Sequence, residues 1–138
     1  MTKYYDMAKF RVYPWWKKGK RADDYFQVCY TEKIEDIYRY GDKLRKEGVK
    51  VARGKWHATV VFHQDKKDKH LKGYALFCKK SITDPSKVAH EVVHLCQMYF
   101  GYLIWPLCMS LIGQNHELFA HSHTFMMDAI LKWARKNV

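Results

Sequence analysis

His90-Glu91-Val92-Val93-His94 sets two imidazoles four residues apart, with a carboxylate directly after the first. On a helix of 3.6 residues per turn, His90 and His94 stack on one face and can reach one ion together. Glu91 then projects beside that face, where it can take a proton from water activated by the ion. The chain holds 8 histidines among 138 residues. A scrambled chain of this composition would show the pattern about once in sixty cases. Context must therefore decide. The competing reading makes His90, Glu91 and His94 satisfied core polar groups, but burying three of them on adjacent turns without a metal would be costly.

The flanks supply a helix. Asp84 can cap free backbone N–H groups, and Pro85 suits the first helical position, where its missing N–H would be unpaired anyway. No Gly or Pro follows until Gly101. Val88, Val92 and Val93 are mediocre helix formers, so packing has to hold the segment. Apart from His90, Glu91, His94 and Gln97 it is apolar around most of its circumference, which predicts a buried helix.

Catalytic zinc takes three protein ligands and leaves one position for water. Gln97 and Phe100 stand where a metzincin would place glycine and a third histidine. A second helix is expected from an Asn115 cap to about Lys136, on the pattern of Leu118, Phe119, Phe125, Met126, Ala129, Ile130 and Trp133. Glu117 and His121 share one face of it, with Asp128 further along the stripe. Glu117 is the expected third ligand, ahead of His121 and then His116, because two histidines and a glutamate form an established hydrolytic set. His121 or Asp128 would then orient a ligand from behind. The plain alternative is that Glu117 complements the helix dipole and that His116, His121 and His123 form a polar face.

His90 to His94, followed after a gap by Glu117-Leu118-Phe119-Ala120-His121, resembles the minimal gluzincins, most closely small inferred metallopeptidases common in phages and prophages. Those pair a "His-Glu-x-x-His" helix with a second helix bearing a "Glu-x-x-Ala-x" signature. Their second helix often has proline and tyrosine where Leu118 and His121 stand here, and larger gluzincins often place an acid at the position of His121. The likeness spans about Lys79 to Trp133 and covers the N-terminal half only in outline. It implies a zincin-like core, a Zn²⁺ cofactor and a peptide or protein substrate, in a host cytoplasm if a phage encodes the chain.

The length suits one domain over 1–138 with a real core. The first ten residues have no apolar run of the kind that leads a secretory signal. Cys29, Cys78, Cys96 and Cys108 lack zinc-ribbon spacing, so reduced thiols in a cytoplasm are expected. The net charge of +11 is concentrated toward the N-terminal part, since Lys and Arg are absent between Lys87 and Lys132. Lys17, Lys18, Lys20 and Arg21, beside Trp15 and Trp16, offer cations for phosphates and rings for bases. Such runs are ordinarily solvated loops, which is the expectation for this cluster.

Short strands are expected at Lys9 to Tyr13, Tyr25 to Tyr30, Trp56 to His63 and Tyr74 to Lys79, the last two antiparallel. A helix from about Glu32 to Lys46 stops at Gly48 and is weakened by Gly41. In the third strand Trp56, Ala58, Val60 and Phe62 should point inward, with His57, Thr59, Val61 and His63 on the other face. The fold class is α+β: a small, mainly antiparallel sheet packed on the metal-binding helix, followed by a second helix supplying the third ligand. Leu95 to Gly113 carries no formal charge and approaches the roughly 20 residues that span a bilayer. Gly101, Pro106, Gln97 and Ser110 argue for a buried connector instead.

The leading function is hydrolysis of peptide bonds, with His90, His94 and Glu117 on zinc and Glu91 as general base. His121, His123, Tyr99 and Tyr102 are candidate oxyanion donors. The reading from another class is a module that binds nucleic acid or a host protein around a structural metal site. A binding protein has no need of a base beside the ion, so Glu91 discriminates between the two.

Overall fold

The computed structural model describes residues 7–14, 25–51, 56–64, 71–98 and 112–138, with the backbone alone at 62–64, 71–72 and 112–119. Among the described residues there are four strands, β1 (Met7–Val12), β2 (Phe26–Thr31), β3 (Ala58–Gln64) and β4 (Leu71–Cys78). The helices are α1 (Ile34–Lys46), a single turn α2 (Lys79–Ile82), α3 (Pro85–Met98) and α4 (Ile112–Asn137). The class is α+β, and the sheet is mixed. Its order is β1-β2-β4-β3. The β3–β4 pair is antiparallel as expected and β1–β2 is antiparallel too, whereas the central β2–β4 pair is parallel, with Val28 opposite Ala75. After β2 the chain crosses through α1 and lays β3 at the far edge, and β4 returns into the gap between them. A parallel pair needs such a long connection.

Both faces of the sheet are covered, which corrects the one-sided sheet expected from the sequence. Val12, Phe26, Val28, Ala75 and Phe77 pack against α3 and α4, while Cys29, Val61 and Leu76 pack beneath α1. Val61 is therefore buried rather than on an outer face. Trp56 departs from its expected side too. It precedes β3, so strand alternation does not govern it, and it packs with the α1 cluster, where its carbonyl accepts the Tyr38 hydroxyl at 2.7 Å. Gly41 fits that contact: a methyl group there would lie 3.4 Å from Val51 and 3.7 Å from Trp56.

Local chemistry explains the ends of the elements. At the C-terminus of α1, Gly48 takes φ +90°, and the N–H groups of Gly48 and Val49 reach back to the carbonyls of Arg45 and Leu44. Val49 and Leu44 then share the α1 core, as the hydrophobic partner of such a stop requires. Strand β4 ends at Cys78, one residue short of the expected Lys79, because Ser81 Oγ accepts the Cys78 N–H and its hydroxyl donates to the Cys78 carbonyl, each at 3.1 Å. Ser122 on α4 donates to the Pro14 carbonyl at 2.6 Å, and Trp133 stacks on Phe10 at 4.4 Å, so α4 is pinned to the β1 edge. Helix α4 starts at Ile112, which places the expected cap residue Asn115 inside the helix.

Candidate metal centre

Asp84 sets the start of α3. Its Oδ1 accepts the Ser86 N–H at 3.0 Å and the Ser86 hydroxyl at 2.7 Å, and its carbonyl accepts the Val88 N–H at 3.1 Å. The Ser86 hydroxyl bond holds the Asp84 carboxyl below its ordinary range. From that start, Val88, Glu91, Val92, Leu95, Cys96 and Met98 fall on the buried face. His90, His94 and Gln97 form the outward stripe and are exposed, so the histidines are not core groups as a helix buried all round would make them. The sheet and α4 take only one side of α3, and the apolar positions needed to meet them exclude residues 90, 94 and 97.

On the outward stripe the two rings stand edge to face, 4.9 Å apart by centroid and at 77°. Their Nε2 atoms converge to 3.2 Å. Two nitrogens bound to one tetrahedral ion at 2.0–2.1 Å would lie about 3.3 Å apart. The pair has the bite of a chelate. Glu91, one residue along, is only 7 % exposed. Burial pushes its carboxyl up from the ordinary range, and the neighbouring His90 and His94 pull it back down. Among the described residues no hydrogen bond or ion pair reaches the carboxylate. The two imidazoles offer two of the donors that zinc takes, and the buried Glu91 carboxylate beside them has no partner among the described residues.

Other residues singled out in the sequence are less fully described. Glu117 lies in the second turn of α4, on the helix that packs along α3, and its side chain and that of His116 are outside the described residues. Among the described residues no third His, Cys, Asp or Glu joins His90 and His94. His121 and Asp128 are exposed. His123 turns inward, its Nε2–H donating to the carbonyl of Ala89 at 3.1 Å, immediately before His90. That bond engages the nitrogen an oxyanion donor would offer and ties α4 to α3. Tyr99 and Tyr102, most of the charge-free segment, and the cluster of Trp15, Trp16, Lys17, Lys18, Lys20 and Arg21 lie outside the described residues.

No family model, curated protein or solved structure matches the chain. The site therefore stands on its own geometry. A surface cavity of about 490 Å³ lies elsewhere, around α2, with Glu32, His57, Lys79 and Lys80 on its wall. It mixes charges of both signs, and none of its lining residues belongs to the His90–His94 pair. The links Ser122–Pro14 and His123–Ala89 were not legible in the sequence. Their partners are 108 and 34 residues apart, and no spacing signals such a contact.

Proposed function

We propose that this protein is a zinc-dependent metallopeptidase of the minimal gluzincin kind, with His90, His94 and Glu117 as ligands and Glu91 as general base. The observation that carries the reading is the 3.2 Å approach of the two Nε2 atoms beside a buried Glu91 that has no partner among the described residues. Zinc supplies two things to such a set when bound: it brings water toward deprotonation near neutral pH and polarises a carbonyl.

The chain's own residues do the rest. His90 and His94 would offer their Nε2 atoms from adjacent turns of one helix, with the metal taking the place of the hydrogen bond that now joins the two rings. Glu91 accepts a proton from the attacking water and delivers it to the leaving amine. Its burial supports that role, because a desolvated carboxylate is a stronger base than one in bulk water. Exposure of the outward stripe leaves room for a polypeptide to approach. His121, on the exposed side of α4, remains a candidate for the oxyanion, while the bond from His123 to Ala89 suits helix positioning.

The test is Glu91→Gln in the zinc-loaded protein, against a peptide library. Gln keeps the shape and removes the base, so zinc content should persist while turnover falls by roughly 100-fold or more. Chelation should abolish the wild-type activity and added zinc restore it. Wild-type rates in the Gln variant would remove the site from the chemistry and leave a metal staple.

A further inference from the structure

The sheet face opposite His90 and His94 carries a second feature. Lys9 and Arg11 are next-but-one neighbours on the edge strand β1, exposed on the face that α1 covers only in part. Lys9 Nζ lies 4.8 Å from the centre of the Tyr40 ring, and Lys43 Nζ of α1 lies 5.9 Å from the same ring. The Arg11 guanidinium stacks 4.2 Å from the centre of the Tyr25 ring. The ion pairs among the described residues are Asp36–Arg39 and Asp42–Arg45, and neither includes these three cations.

A cation held by a ring is positioned without being neutralised. Lys9, Arg11 and Lys43 thus keep their full charge while losing part of the freedom that a partner would otherwise have to restrict. Next-but-one residues of a strand repeat at roughly 6.5–7 Å, which spaces Lys9 and Arg11 along β1, while Lys43 joins Lys9 at the Tyr40 ring from α1. The chain as a whole is at +11, which adds long-range attraction for a polyanion. Val138, at the C-terminus, is the exposed large hydrophobic among the described residues, so the described part of this face offers charge rather than an apolar wedge.

We infer that Lys9, Arg11 and Lys43 form a sequence-independent nucleic-acid surface that binds the phosphate backbone, separate from the α3 site. Tyr40 is buried and Tyr25 is covered by Arg11, so the rings hold the cations and do not stack on bases. Contacts to phosphate alone position a strand and carry no base specificity.

Fluorescence anisotropy of the full chain with a labelled single-stranded oligonucleotide and its duplex, across a salt series, tests this. Three phosphate contacts give a log–log salt slope of about −2 on a single strand and nearly −3 on a duplex. Affinity carried by this row should therefore fall roughly 20- to 40-fold between about 50 and 200 mM salt. The triple variant Lys9→Gln, Arg11→Gln, Lys43→Gln should be shallower than wild type by about that slope, whereas Lys132→Gln with Lys136→Gln should not change it. Equal slopes in wild type and triple variant would overturn the assignment, as would no binding at about 50 mM salt. Anionic phosphatidylserine vesicles that outcompete the oligonucleotide would overturn it in favour of a membrane surface.

Discussion

Glu91 is costly where it stands. It lies on the apolar face of α3 at 7 % exposure, with the His90 and His94 rings as its electrostatic neighbours. A buried carboxylate without a hydrogen-bond partner destabilises a fold. Glu91→Gln should accordingly raise the unfolding free energy of the metal-free protein by about 1 kcal/mol or more at neutral pH, measured by chemical denaturation. An unchanged or lowered value would mean that the carboxylate finds a partner in solution. The third ligand is decided by a separate comparison. Glu117→Ala should reduce zinc affinity in a chelator competition by more than His116→Ala or His123→Phe does. Full occupancy in the Glu117 variant, with loss in His121→Ala, would refute the two-histidine, one-glutamate set.

Helix α3 is seated by the strands and the helix it packs against. Phe26 and Gly73 face each other across the central parallel pair, and a methyl group on Gly73 would overlap the Phe26 ring. Phe26 is itself 2 % exposed and sits in the core that meets α3 and α4. Gly73→Ala should therefore cost about 1–3 kcal/mol through overpacking, read as a lowered Tm. A Tm equal to wild type would show that the Phe26 ring has room to turn. On the same side of α3, the His123 bond to the Ala89 carbonyl and the Ser122 bond to the Pro14 carbonyl hold α4 against both α3 and the end of β1. These two neighbouring residues tie α4, which carries Glu117, to the helix bearing His90 and His94.

Across the molecule the sheet separates two surfaces of different character, the histidine stripe beyond one face and the cationic row on the other. Between them lies a double-sided core whose titratable members resist ionisation. The Cys29 thiol is fully buried, and desolvation, opposed in part by Lys9 and Tyr40, pushes it from 9.0 to about 12. A thiol whose folded pKa is raised holds its proton more tightly in the folded state. Its contribution is thus fully present below pH 9.0 and is lost as pH rises toward about 12. Burial shifts Tyr30 the same way, with Glu32 adding to it. Unfolding free energy should fall over that alkaline range more steeply in wild type than in Cys29→Ala, as urea titrations at successive pH values would show. Parallel pH profiles would mean that Cys29 stays protonated in both states.

How much of this was legible in the chain depends on the range of the interaction. Four strands, the stop of α1 at Gly48, the start of α3 at Asp84 and Pro85, and the pairing of His90 with His94 follow from residues within a few positions of one another. Local sequence is sufficient there, because caps, turns and helix faces are set by neighbours. The parallel β2–β4 pair has a weaker signal. Tyr74-Ala75-Leu76-Phe77-Cys78 is apolar without alternation, the mark of a strand buried on both faces, yet the run does not say which strand it lies beside. Only the tertiary structure decided that β4 enters the middle of the sheet, that α1 covers its second face, and that Trp56 turns toward α1. It also decided that His90 and His94 face outward while Glu91 is buried. Periodicity arranges side chains around a helix axis, but which side meets solvent depends on what the rest of the chain packs against it.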